Sequence, residues 1–362
     1  MLHSAFGPER DVRKIAVLRA NQIGDFLFTL PALAALRAAY PGAEIVLLGR
    51  AWHAAFLAGR PGPVDRVVVV PPARGVSAPP DGAEDPEELA RFFAAMREER
   101  FDLALQFQGG GRHSNPFTLR LGARLTAGLK TPDAAPLDRW VPYVYFQHEV
   151  VRYLEVAALV GATAAGLEPR VSVTDRDLAE SYDAVPEDAR PLVALHPGAT
   201  DARRWWPAER FAAVGDALAA AGDGAARVVV LGVEEERPLV EAVLGAMGTE
   251  AEDLCGRLSL GGLAGLLSRC RLVVANDSGP LHLATAVGAA TVGVYWCFNL
   301  VNCAPLTRAR HRPFVSWRLT CPVCGVDCTR GMCEHRASFV ADVPAGEVVE
   351  AALELFGVRR EA

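Results

Sequence analysis

The chain has 362 residues, 51% of them hydrophobic and 22% charged, which supplies more than one packed core and argues against disorder. Its net charge of −6 argues against nucleic acid as a main partner. No window approaches the ~18 uninterrupted apolar residues of a membrane span, and charge enters MLHSAFGPERDVRK before any long apolar run, so no secretory leader is expected.

Residues 14–18 form a short apolar run that reads as a buried parallel strand, and it ends in the polar turn 19–25. Thr29 then N-caps a helix with Pro31 in its first turn, and Pro41-Gly42 stops it. Strand-like runs follow at 44–48, 67–70 and 103–107, with a Pro- and Gly-rich surface loop at 71–86. This alternation predicts a parallel sheet covered by helices on both faces. Residues 175–191 read as a hinge around one short helix. The alternation then restarts, with strands at 192–195, 227–231, 272–275 and 291–295 and helices at 209–221, 234–247, 260–268 and 281–288. The expected fold class is therefore α/β, with two Rossmann-like domains at 1–175 and 176–345 and an amphipathic helix within 346–362.

Three turns directly after strands are where open α/β sheets bind ligands. In the first, Gly24-Asp25, the carboxylate can take a proton from a substrate hydroxyl; the competing reading is that Asp25 only caps the following helix. The second, His196 to Pro207, offers glycine, the Thr200 hydroxyl and the guanidiniums of Arg203 and Arg204 to phosphate oxygens; otherwise it is a solvated loop with Trp206-Pro207 packed on the next helix. The third, Ala275 to His282, passes from strand through a small polar turn into Gly279-Pro280, so that free N–H groups and a helix dipole converge on an anion site. No G-x-G-x-x-G follows a strand, which disfavours a nicotinamide or flavin enzyme. Asp175-Arg-Asp177 matches a metal-holding D-x-D pattern, but its place after Thr174 reads better as acids at a helix start.

These turns, in the stretches LRANQIGDFLFTLPALAALRAAYPGAEI, LHPGATDARRWWPAERFAAV and LVVANDSGPLHLATAVGAATVGVYW, resemble glycosyltransferase family 9, the ADP-heptose:lipopolysaccharide heptosyltransferases. The resemblance runs from about residue 13 to about 355. It implies a GT-B fold, two Rossmann-like domains with parallel sheets facing across a cleft, and an inverting, metal-independent transfer from a nucleotide sugar. By the same resemblance Gly24 and Asp25 carry the Gly-Asp motif with Asp25 the general base, and Arg204 stands where many relatives carry Lys. Asp277, Ser278, Gly279 and His282 fall on the nucleotide-phosphate motif, and Glu236 on a carboxylate suited to ribose hydroxyls. After Tyr295 the chain reads Trp296-Cys297-Phe298-Asn299-Leu300 where relatives read Gly-Pro-Thr-Asp-Pro, which leaves the donor sugar more open than the fold.

The acceptor is expected on the first domain. Arg100, Arg112, Arg120, Arg124 and Lys130 surround a single acid, Asp102, so Arg112, His113, Ser114, Asn115 and Arg120 are candidates to hold an acidic glycolipid; the alternative is a scattered solvated surface. Cys321, Cys324, Cys328 and Cys333, with His335 beyond, have the compactness of a zinc knuckle. Structural zinc is one reading and unbound reduced thiols the other. No cofactor or catalytic metal is expected. The combined expectation is a cytoplasmic monomer at the inner face of the membrane that moves a heptose from ADP-heptose to a lipopolysaccharide-core-type glycolipid. The alternatives are another nucleotide sugar with a small-molecule or polysaccharide acceptor, or a non-catalytic sugar-nucleotide binder, against which Asp25, Arg204 and His282 together weigh.

Overall fold

A computed structural model describes residues 7–221, 225–331 and 333–357. The chain divides into two compact units, Met1–Ser172 and Val173–Ala362. No helix among the described residues is long and apolar enough to cross a membrane.

The first unit runs β1 (Lys14–Leu18), α1 (Ile23–Leu27), α2 (Leu30–Ala39), β2 (Glu44–Gly49), α3 (Ala51–Leu57), β3 (Arg66–Val69), α4 (Pro86–Glu98), β4 (Leu103–Gln106), α5 (Ser114–Leu119), β5 (Leu125–Lys130), β6 (Arg139–Pro142) and α6 (Glu149–Ala158). Its six strands lie in the order β3-β2-β1-β4-β5-β6 and pair in parallel. The central strands β1 and β4 are apolar and buried because helices cover both faces, which is why they read as continuous hydrophobic runs. β6 alternates between half-buried and exposed positions at the sheet edge, and four residues give too short a pattern to be legible. The loop read at 71–86 ends where Asp85 caps α4 by accepting the Glu87 N–H at 2.9 Å.

The second unit contains α7 (Asp175–Ala184), β7 (Leu192–His196), α8 (Ala208–Ala219), β8 (Arg227–Val230), α9 (Arg237–Ala246), β9 (Glu252–Asp253), α10 (Leu260–Arg269), β10 (Cys270–Asn276), α11 (Gly279–Val287), β11 (Ala290–Trp296), α12 (Cys297–Cys303), β12 (His311–Ser316) and α13 (Ala345–Phe356). The parallel order β12-β11-β10-β7-β8-β9, counted within the unit, repeats the 3-2-1-4-5-6 order of the first. β12 is an edge strand, so Pro313 costs it no ladder bond.

Two boundaries differ from the sequence reading. The stretch 175–191 is not a linker throughout: α7 packs on α10, and Gly265 comes so close that a Cβ there would lie 2.2 Å from Asp177 O. Its first turn is a reciprocal cap, with Asp177 N–H donating to Thr174 Oγ1 at 3.3 Å and Thr174 N–H to Asp177 Oδ2 at 2.9 Å. Asp175 and Asp177 therefore do open a helix. The last helix is not separate either, because Val348, Ala352 and Phe356 share one core with Phe211, Val214 and Val274.

In each sheet the chain order reverses between two central strands, β1 and β4 in the first and β7 and β10 in the second. The turns after those four strands are the switch-point crevices of this architecture.

Candidate active site

In the first unit, β1 runs through Arg19 into α1, so Asp25 sits in a helical turn and not in a free glycine turn. Gly24 is the second residue of that turn, and Asp25 the third. Asp25 Oδ2 accepts the Gln22 N–H at 3.2 Å and Oδ1 lies 3.2 Å from Arg19 Nη2. The carboxylate caps α1, as the capping reading expected, and its side chain remains 39% exposed.

Arg19 is the residue that sequence reasoning passed over. It is 2% exposed, donates from Nη1 to Phe107 O (2.5 Å) and from Nε to Asp25 O (3.1 Å), and reaches Glu149 Oε2 at 3.4 Å. Burial works against its charge, but Tyr153, Asp25 and Glu149 outweigh that and hold the guanidinium protonated beyond its ordinary range. Tyr153 donates to Glu149, and burial pushes its own hydroxyl well up.

Asp25 lines a cavity of about 500 Å³ together with Gln22, Arg50, Val76, Arg112 and His113. The turn after β4 is stitched to its neighbours by Gln108, whose Oε1 accepts the Ala20 N–H (2.7 Å) and whose Nε2 donates to Val76 O (2.6 Å). Gly111 adopts φ +94°, and a Cβ there would lie 2.5 Å from Asn115 Nδ2.

The acceptor candidates separate. Arg112, His113 and Ser114 line the cavity, although Ser114 donates its hydroxyl to Gln108 O at 2.6 Å. Asn115 is fully buried and donates to Leu129 O and Ala135 O at 3.1 and 2.8 Å, which makes it scaffolding. Arg120 stacks on Phe93 at 3.7 Å and is not among the cavity-lining residues. The basic patch is likewise dispersed: Arg124 pairs with Asp102 at 3.6 Å and Lys130 lies over Trp140 at 5.1 Å, leaving Arg112 at the cavity.

In the second unit the β7 and β10 turns are zipped together. Asn276 Nδ2 donates to Pro197 O at 2.6 Å and its Oδ1 accepts the Trp206 N–H at 3.1 Å. Trp206 is buried edge-on against Phe211, with ring centroids 5.1 Å apart. The buried Asp277 carboxylate is bracketed by Arg204 Nη1 at 2.9 Å and His282 Nε2 at 3.1 Å. Burial disfavours its charge, yet His282 and Arg204 outweigh burial and hold it below the ordinary carboxylate range. Ser278 precedes α11 and Gly279 begins it, so the first N–H groups of that helix lack intrahelical partners.

Beside this sits a second pair, the buried His196 and the half-buried Glu236. Glu236 Oε2 lies 3.3 Å from His196 Nε2 and accepts the Val233 N–H at 3.1 Å. Despite burial, the His196 contact holds the Glu236 carboxyl below its ordinary value. With Nε2–H donating to Glu236, His196 Nδ1 accepts from Ser278 Oγ at 3.3 Å. Gly198 is required here, since a Cβ would lie 2.0 Å from Glu236 Oε1. Thr200 is exposed on the same loop.

The cysteine segment departs from its sequence reading. Cys321, Cys324, Cys333 and His335 present ligand atoms all within 4.8 Å of one another. Cys328 is not in that group; it is buried, and its Sγ donates to Val326 O at 3.6 Å.

The family model of glycosyltransferase family 9 (heptosyltransferase) matches residues 89–314. Lipopolysaccharide heptosyltransferase 2 of Salmonella typhimurium is 27% identical over 305 residues, covering 78% of this chain and 82% of the relative. The glycosyltransferase family 9 structure from Veillonella parvula superposes with a TM-score of 0.77 at 21% identity, over 97% of this chain and 99% of that one. The ADP-heptose lps heptosyltransferase II structure from E. coli gives 0.71 at 20% identity, over 95% and 98%. The paired sheets are the two Rossmann-like halves of a GT-B fold, and the chain belongs to glycosyltransferase family 9, the heptosyltransferase family, and is a glycosyltransferase.

Proposed function

We propose that this enzyme transfers a heptose from ADP-heptose to a lipopolysaccharide-core-type acceptor, with inversion at the anomeric carbon and without a catalytic metal. The observation that carries the reading is the buried carboxylate Asp277 held between Arg204 and His282 at the start of α11, within a family of heptosyltransferases. Asp277 aims Arg204 and His282, leaving the other Arg204 donors and the helix N-terminus for a diphosphate. Glu236, oriented by His196, suits the ribose hydroxyls. The second unit thus holds the donor, and the first presents the acceptor hydroxyl to Asp25.

Asp25 takes the hydroxyl proton as the oxygen attacks the anomeric carbon. The C–O bond to the nucleotide breaks, and the leaving diphosphate gains negative charge, which Arg204 and the α11 N–H groups stabilise in place of a cation. Arg112 and His113 are the acceptor-side candidates at the Asp25 cavity. The enzyme works in this reading as a cytoplasmic monomer touching the inner membrane face, where a glycolipid acceptor is presented.

The test is turnover of ADP-heptose with and without lipopolysaccharide-core acceptor, in EDTA, with the product's anomeric configuration read by NMR. Acceptor-dependent ADP release that survives EDTA and yields the inverted anomer supports the proposal. Complete loss in EDTA restored by magnesium or manganese, or retention at the anomeric carbon, refutes it.

A further inference from the structure

We propose that Cys321, Cys324, Cys333 and His335 form a closed tetrahedral site for one thiophilic divalent cation of the zinc class, and that this ion clamps the segment supporting the Arg204 loop. The geometry is nearly assembled. Cys321 Sγ lies 3.8 Å from His335 Nδ1, and all four ligand atoms fall within 4.8 Å. A tetrahedron with ~2.3 Å metal–sulfur bonds separates its ligands by about 3.8 Å, so the cluster contracts by less than ~1 Å to close on an ion.

The backbone around the first two cysteines is shaped for this. Val323 N–H donates to Cys321 Sγ at 3.4 Å, Gly325 N–H to Cys321 O at 2.9 Å, and Cys321 N–H to Val326 O at 2.9 Å. Gly325 takes φ +71° with open space where a Cβ would stand, so glycine serves the turn and not the packing. The turn folds Cys324 back beside Cys321 and points an N–H at a sulfur, which favours thiolate. Three thiolates and one imidazole are a ligand set for zinc or Fe(II), not for magnesium or calcium.

The segment needs such a clamp. Between Arg318 and Ser338 the described residues form no helix or strand beyond one isolated bridge, Thr320 to Asp327. Val323 and Val326 are exposed, and Cys321 and Cys328 are the residues of this stretch that enter the core as buried members. Ordering so long a segment with so little burial calls for a staple. Its two ends bear on the donor-side loops: Arg318 O accepts Trp296 Nε1–H at 2.7 Å, Ser338 Oγ donates to Trp205 O at 2.6 Å, and Phe339 N–H donates to Arg203 O at 2.8 Å. Arg204 lies between the last two.

The experiment uses the full chain, purified without a polyhistidine tag under reducing conditions from cells supplied with zinc and iron. Metal is counted by mass spectrometry after gel filtration in EDTA, and the stripped protein is titrated with cobalt. One zinc or iron per chain, with tetrahedral cobalt bands and thiolate charge transfer saturating at one equivalent, supports the site. Cys324→Ser and His335→Ala, both at exposed positions, abolish retention and open the 318–338 segment to proteolysis with an unchanged circular dichroism spectrum; Cys328→Ser keeps the metal. A metal content below about a tenth of an atom per chain with no cobalt bands overturns the proposal. So do a Cys321–Cys324 disulfide in the fresh protein, or loss of metal in Cys328→Ser with retention in His335→Ala.

Discussion

Replacing Asp25 by Asn separates catalysis from folding cleanly. The side chain is 39% exposed, makes one bond to the Gln22 N–H and one ion pair to Arg19, each at 3.2 Å. Asn keeps one acceptor oxygen for the Gln22 N–H and loses the charge and the second acceptor that faces Arg19. Only the Asp25 end of this pair is open to solvent while Arg19 is buried, so breaking it costs on the order of 1 kcal/mol, and Arg19 retains Glu149 at 3.4 Å and Phe107 O at 2.5 Å. The fold therefore loses about 1 kcal/mol, a melting shift of about 2–4 °C for a unit of this size. Loss of a general base costs ~10²–10⁴ in rate, which is about 2.7–5.5 kcal/mol of barrier. Steady-state kinetics with ADP-heptose and acceptor, run beside a thermal melt, reads both: kcat falls at least about a hundredfold, the donor KM holds, and the melt barely moves. A kcat within about threefold of wild type would refute the assignment, as would a melting drop large enough to explain the whole loss.

Three further outcomes follow from particular contacts. On the proposed donor site, Arg204→Ala and His282→Ala weaken binding of ADP by about tenfold or more and of adenosine far less, because the proposal puts both at the phosphate end; calorimetry showing equal losses for both ligands places them elsewhere. Gly198→Ala puts a Cβ 2.0 Å from Glu236 Oε1 and forces that carboxylate off His196, so donor affinity falls. In a Glu236→Ala background the same change costs almost nothing further, and an additive cycle contradicts the clash. His53 is buried and its pKa is pushed down to about 3, by burial first and then by Arg19, whereas the unfolded chain takes the proton near 6.5. Stability is complete above pH 6.5 and falls by about 1.4 kcal/mol per pH unit toward 3. His53→Asn, which keeps an acceptor for the Arg50 N–H, flattens that slope in urea melts; an unchanged slope shows that another group titrates.

The sequence by itself determined what depends on short-range pattern. Apolar runs of strand length, polar turns behind them and the Gly279-Pro280 helix start specified two parallel α/β halves and the turns that carry Asp25, Arg204, Asp277 and His282. Those signals are local because strand burial and helix starts are decided within a few residues. Only the tertiary structure decided which charges meet. Arg19 finds Glu149 across 130 positions, and Arg204 finds Asp277 across 73. Counting basic residues between 100 and 130 cannot reveal that Arg120 lies on Phe93 while Arg112 faces the Asp25 cavity. Spacing offered four thiols as metal ligands, and the folded chain groups His335, not Cys328, with the other three. A charge or a thiol is identified by its chemistry, but its partner is set by chain folding over tens of residues, where no periodicity carries the information.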